Sequence, residues 1–67
     1  MKITLNNRPE DIAGGPMTVN ELIKYKNFSF KLLVTKINGK LVKTDERDMA
    51  MVDEGDDVQI LHLISGG

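Results

Sequence analysis

The sequence predicts an α+β fold in which a single helix covers one face of a mixed sheet, and three observations carry that expectation. Segments near both ends alternate apolar and polar residues, a capped helix start lies between Met17 and Leu22, and Asn38-Gly39 punctuates a β-rich run. The 67 residues point to one domain, 1–67. A chain of this size buries only roughly 60% of the surface its unfolded form exposes, so its core is thin. With no cysteine and one histidine, His62, neither disulfides nor a metal can serve as a staple. Stability must come from paired strands and a packed helix.

From Lys2 to Asn6 the chain alternates, with Ile3 and Leu5 on one face, as a half-buried strand does. Asn6-Asn7-Arg8-Pro9 supplies turn chemistry, because asparagine tolerates positive φ and proline cannot donate to a ladder. A shorter strand through Ile12 follows, placed at a sheet edge by Pro9 and ended by Gly14-Gly15-Pro16. Thr18-Val19-Asn20-Glu21 is a capping box, and Met17 and Leu22 hold the two positions of a hydrophobic staple. Val19, Leu22 and Ile23 then form an apolar stripe on a helix ending near Asn27. So short a helix is unstable alone and must lie on the sheet.

The run Leu32 to Ile37 is a strand, Asn38-Gly39 its hairpin turn, and Leu41-Val42 the returning arm. Thr44 to Met51 reads as a loop holding a helical turn. Asp53-Glu54-Gly55-Asp56 is a turn in which Gly55 can take the left-handed conformation. Val58 and Ile60 alternate with Asp57 and Gln59 in a last strand through about Leu63. The order is β-β-α-β-β-β, or β-β-α-β with a long hairpin and a final strand, and that final strand can return beside the first.

Nine basic and ten acidic residues leave a net charge of −1. The basic residues are scattered, with no stripe and no aromatic stacking platform, which argues against nucleic-acid binding. No apolar run approaches the roughly 20 residues that span a bilayer, and the opening residues lack a signal-peptide core. The expected location is the cytoplasm, with no membrane partner.

Candidate chemistry concentrates at Gly66-Gly67. Such an end can be frayed chain. Here it follows an apolar strand with only Ser65 between, and glycines without Cβ atoms can thread a narrow channel in any backbone conformation. Ser65 to Gly67 reach roughly 10 Å at most, enough to enter another protein's active site. Leu61, Leu63 and Ile64 lie just before this tail. If Val58 and Ile60 face the core, Leu61 and Leu63 point the other way, as a bulge, a second packed layer, or an apolar contact patch. Gly14-Gly15-Pro16 precedes a helix but lacks the lysine and spacing of a phosphate loop, so it reads as a plain loop. His62 alone makes no metal site, and Ser65 has no base beside it. The acids from Asp53 to Asp57 read as a solvated turn, and Met1, Met17, Met49 and Met51 as gap-fillers.

These residues together resemble the ThiS family of sulfur carriers. The likeness runs from Lys2–Asn6, through Thr18-Val19 with Glu21-Leu22 and Ile37-Asn38-Gly39, to Glu54-Gly55-Asp56, Val58, Ile60, His62 and Gly66-Gly67. The resemblance implies a ubiquitin-like β-grasp fold and a protein that is a co-substrate rather than an enzyme. A ThiF-like E1 adenylyltransferase would use ATP to adenylate the Gly67 carboxylate. Sulfur from a cysteine desulfurase would convert it to a thiocarboxylate, and a ThiG-like thiazole synthase of thiamin synthesis would accept the sulfur. Gly66 would share the active site with Gly67, and Leu61, Leu63, Ile64 and Ser65 would meet partners. No cofactor would be bound by the carrier itself. The family often has Pro-Arg followed shortly by Trp after its middle hairpin, whereas this chain reads Val42-Lys43-Thr44-Asp45-Glu46-Arg47. A MoaD-type small subunit of molybdopterin synthase shares the implied fold and Gly-Gly end, and a ubiquitin-like modifier or interaction domain is the alternative of a different class.

Overall fold

The opening alternation becomes strand β1, Lys2–Leu5, whose Ile3 and Leu5 are buried. In this computed structural model, which describes residues 1–28 and 33–62, Asn6 and Asn7 both take left-handed backbone, with φ of 51° and 66°. Two successive positive φ values make the tight turn whose twist suits a hairpin. It returns the chain along β2, Arg8–Asp11, antiparallel to β1 with Pro9 opposite Thr4. β2 is an edge strand, so the missing proline N–H costs no ladder bond between neighbours.

Helix α1 spans Val19–Tyr25, with Thr18 as its N-cap. The Glu21 amide donates to Thr18 Oγ1 at 3.1 Å, and the Thr18 amide donates to Glu21 Oε1 at 2.9 Å, completing the expected capping box. At the other end the Phe28 amide donates to the Ile23 carbonyl and the Asn27 amide to that of Lys24, with Asn27 at φ 57°. This is the paired-bond stop in which a left-handed residue turns the chain out of the helix. The helix therefore ends where Asn27 was expected to end it.

Strand β4, Leu33–Ile37, and strand β5, Lys40–Val42, form the hairpin around Asn38-Gly39, whose φ values are 51° and 82°. Leu32, the expected start of that run, lies outside the described residues. The last strand, β7, covers Asp57–His62, and Leu63 likewise lies outside them. Over the described residues the main sheet runs β2-β1-β7-β4-β5. β7 is parallel to β1 and antiparallel to β4, so the final strand does return beside the first.

One feature departs from the expected order. Thr44–Glu46 form the anticipated helical turn, but Met51–Val52 (β6) pair antiparallel with Met17–Thr18 (β3) in a small second sheet. Two-residue strands have no periodicity to read. Their service is local: the Val19 amide donates to the Ala50 carbonyl and the Asn20 amide to that of Arg47. With the Thr18 hydroxyl, these carbonyls satisfy the first free amides of the helix.

The core lies between helix and sheet. Ile12, Val19, Leu22, Val52 and Val58 are fully buried, with Ile3, Leu5, Val42 and Ile60 nearly so. Met1 and Met17 pack against this cluster as gap-fillers. Met49 and Met51 do not: they are 75% and 50% exposed, Met49 after the Thr44–Glu46 turn and Met51 in the two-residue strand β6, where Val52 is the buried residue. The architecture is the mixed sheet with one helix on one face that the sequence predicts.

Candidate functional site

Gly66, Gly67, Ser65, Leu63 and Ile64 lie outside the described residues. Leu61 is the member of the expected set that the structure places. Val58 and Ile60 are buried beneath the helix, while Leu61, 44% exposed, lies on the opposite face of the sheet. The β4–β7 register runs without interruption from Ile37↔Val58 through Val34↔Leu61 to Leu33↔His62. The bulge reading is therefore excluded at Leu61, and among the described residues no second layer covers it.

The strand that leads toward Leu63–Gly67 is the central one of the main sheet. Its neighbours stop at different points. β1 last pairs with β7 at Leu5↔Val58, and β5 last pairs with β4 at Val42↔Thr35. Beyond those positions the pairs Val34↔Leu61 and Leu33↔His62 belong to a two-stranded ribbon.

Two side chains at the ribbon's flanks were not singled out from the sequence. The Ile60 amide donates to Asn6 Oδ1 at 2.8 Å, and Asn6 Nδ2 donates to the Ile60 carbonyl at 3.1 Å. On the other flank Arg47 Nη2 donates to the Leu33 carbonyl at 2.6 Å, and its Nε donates to Thr35 Oγ1 at 3.2 Å. Thr35, fully buried, donates in turn to the Val42 carbonyl at 2.7 Å. Asn6 and Ile60 are 54 residues apart, a separation at which no sequence pattern signals contact.

The remaining candidates take structural roles. The acidic turn is committed to backbone and hairpin. Asp56 accepts from the Asp53 amide and from Asn38 Nδ2, Glu54 accepts from the Lys2 amide, and Gly55 sits at φ 83°. The amides at the start of α1 are occupied, which leaves Gly14-Gly15-Pro16 as a plain loop. His62 is exposed at the end of β7. Among the described residues no group of three or more metal-ligating side chains comes together, and no helix is long and apolar enough to cross a membrane.

Comparison with known proteins bears on the whole chain. The sequence matches the ThiS family over residues 3–67. The chain belongs to the ThiS family. Its fold matches the crystal structure of the thiamine biosynthesis protein ThiS from Geobacter metallireducens with a TM-score of 0.89, at 25% identity and over 100% of both chains. The solution NMR structure of a thiamine biosynthesis protein from that organism gives 0.82 at 26% identity, over 100% of this chain and 88% of the other. No curated protein sequence matches the chain. The α+β fold is thus a β-grasp of the ThiS type. ThiS membership supports a sulfur-carrier role and describes a small carrier protein rather than a catalytic enzyme.

Proposed function

We propose that the chain is the sulfur carrier of thiamin thiazole synthesis and works through the carboxylate of Gly67. The observation that supports this reading most is the ThiS family match, which extends through Gly67 itself. A carboxylate is a poor electrophile. A ThiF-like E1 enzyme overcomes this by directing a Gly67 oxygen to the α-phosphorus of ATP, with pyrophosphate leaving. Sulfur supplied through a cysteine desulfurase then displaces AMP and leaves a thiocarboxylate, which a ThiG-like synthase accepts. ATP is used by the partner, and the carrier itself holds no cofactor. The setting is the cytoplasm.

In this reading Gly66 and Gly67 form a thin end that fits a closed site, since any Cβ there would widen it and restrict its backbone. The exposed Leu61, with Leu63, Ile64 and Ser65 after it, contacts the partner as the end is inserted. The test is intact-mass analysis after incubation with a ThiF-like enzyme, ATP and a sulfur source. The full chain gains the mass of sulfur for oxygen, whereas deletion of Gly67, or one residue added after it, abolishes the gain and leaves the fold intact. Undiminished conversion of the truncated chain would defeat this mechanism. ATP–pyrophosphate exchange reports the adenylation step separately, and offering a ThiG-like synthase or a molybdopterin synthase large subunit as acceptor distinguishes the two pathways.

A further inference from the structure

We infer that Asn6 and Arg47 are positioning residues, which replace missing strands on either side of the β4–β7 ribbon and so hold the base of the reactive end in a fixed direction. This rests on the sulfur-carrier reading above. A strand's amides and carbonyls alternate between its two neighbours.

Ile60 points its N–H and C=O toward β1, the direction in which the Asn6 amide donates to the Val58 carbonyl at 2.9 Å. A continuing β1 would offer the next carbonyl to the Ile60 N–H. Instead the chain turns away at Asn6, with φ 51°, and leads into β2. The Asn6 carboxamide stands in for the absent peptide, accepting from the Ile60 N–H and donating to its C=O. A carboxamide has the donor and acceptor of a peptide group in nearly the same geometry, so the substitution is chemically exact in kind.

The opposite flank has the same problem and a different solution. Thr35 faces β5, so Leu33, two residues earlier, also directs its carbonyl to that side. A continuing β5 would bring Thr44 opposite Leu33, but Thr44 already begins the helical turn. Arg47, just after that turn, donates to the Leu33 carbonyl and to Thr35 Oγ1 with two parts of one planar group. Leu33 is the register partner of His62, the last described residue before Leu63–Gly67. Both side chains therefore act where the ribbon outruns its neighbours, and at the end that carries the carboxylate.

A stiff base matters because adenylation requires the carboxylate in line with the α-phosphorus, and small misplacements reduce the fraction of complexes that react. Loosening the ribbon should lower kcat with little change in KM, whereas damage to a docking surface should raise KM. The test uses Asn6→Gly, which keeps the left-handed turn and removes only the carboxamide, and Arg47→Met, which keeps an apolar stem. Arg47→Lys serves as a partial rescue, able to reach one acceptor but not to fork. Thr18→Ala is the control, because the Thr18 hydroxyl caps the Glu21 amide and bonds neither Ile60 nor Leu33.

In the full chain, amide exchange at Val34 and Leu61, which face each other across the ribbon, should accelerate in Asn6→Gly and Arg47→Met but not beyond the global effect in Thr18→Ala. With a ThiF-like enzyme, kcat for thiocarboxylate formation should fall about tenfold in both variants, with KM close to that of the wild type. Unchanged exchange at both amides would overturn the inference, and so would faster exchange with unaltered kcat or a loss confined to KM. If the wild-type chain itself is neither adenylated nor thiocarboxylated, the functional reading fails, and the positioning role for that reaction fails with it. The exchange data would still decide separately whether the two side chains hold the ribbon.

Discussion

Asparagine does much of the turning in this chain. Asn6, Asn7, Asn27 and Asn38 are the described non-glycine residues with positive φ, and each sits where a strand or helix must end abruptly. Their side chains tolerate the left-handed region, which is why the Asn6-Asn7 and Asn38-Gly39 turns and the stop near Asn27 are legible in sequence. What those side chains bond is not legible. Asn38 holds the Asp57 amide and Asp56, and Asn6 holds Ile60, through contacts that only the closed fold creates. The cap at Thr18 is the opposite case, because both of its bonds lie within three residues. Thr18→Ala removes the acceptor of the Glu21 amide and should cost about 1 kcal/mol. Urea denaturation would show this as a lower midpoint with an unchanged slope.

Elements were readable where a period or a turn signature spans several residues, and unreadable where neither does. The main strands and the helix carry such patterns, whereas Met17–Thr18 and Met51–Val52 are too short to carry one. The small sheet exists because the helix start needs carbonyl partners, which Ala50 and Arg47 supply from the chain segment leading into β6. Arg47 is a similar case: its partner Leu33 needs a donor only because β5 stops at Val42. At the hairpin, Gly39 has φ 82°, and a Cβ built there would meet nothing within 4 Å. Any penalty for a side chain is therefore conformational rather than steric crowding. Gly39→Ala should destabilise by about 1 kcal/mol, and Gly39→Asn by less, since asparagine visits this region more readily. Thermal melts of the two variants would give that order, and equal losses would point to a role for Gly39 other than its backbone angle.

At the scale of the whole molecule, one sheet face carries the helix and the other, among the described residues, has no covering layer, so the two faces should respond differently to substitution. A chain of this length has a total stability of about 3–10 kcal/mol. Leu22, on the helix, is fully buried in the core cluster. Leu22→Ala loses both transfer energy and packing, about 2–5 kcal/mol, which is a large share of that total. It should leave a substantial unfolded fraction, visible as collapsed amide dispersion in NMR spectra. Leu61 lies on the other face, opposite Val34 in the register and 44% exposed. Leu61→Asp gives up one cross-strand apolar pair, worth about 0.2–1 kcal/mol, and introduces a charge that water can solvate. The fold should therefore survive. If the open face beside the end meets the adenylating partner, burying that carboxylate on docking is unfavourable, because an unpaired charge leaves water without compensation. KM for the ThiF-like enzyme should rise with kcat nearly unchanged, the reverse of the pattern expected for Asn6→Gly and Arg47→Met. A Leu61→Asp chain that melts like the wild type and is adenylated with an unaltered KM would remove Leu61 from the docking surface. Loss of folding in that variant would instead mean that Leu61 is needed by the sheet, and a Leu61→Thr chain, polar but uncharged and suited to a strand, would then measure its contribution to docking alone.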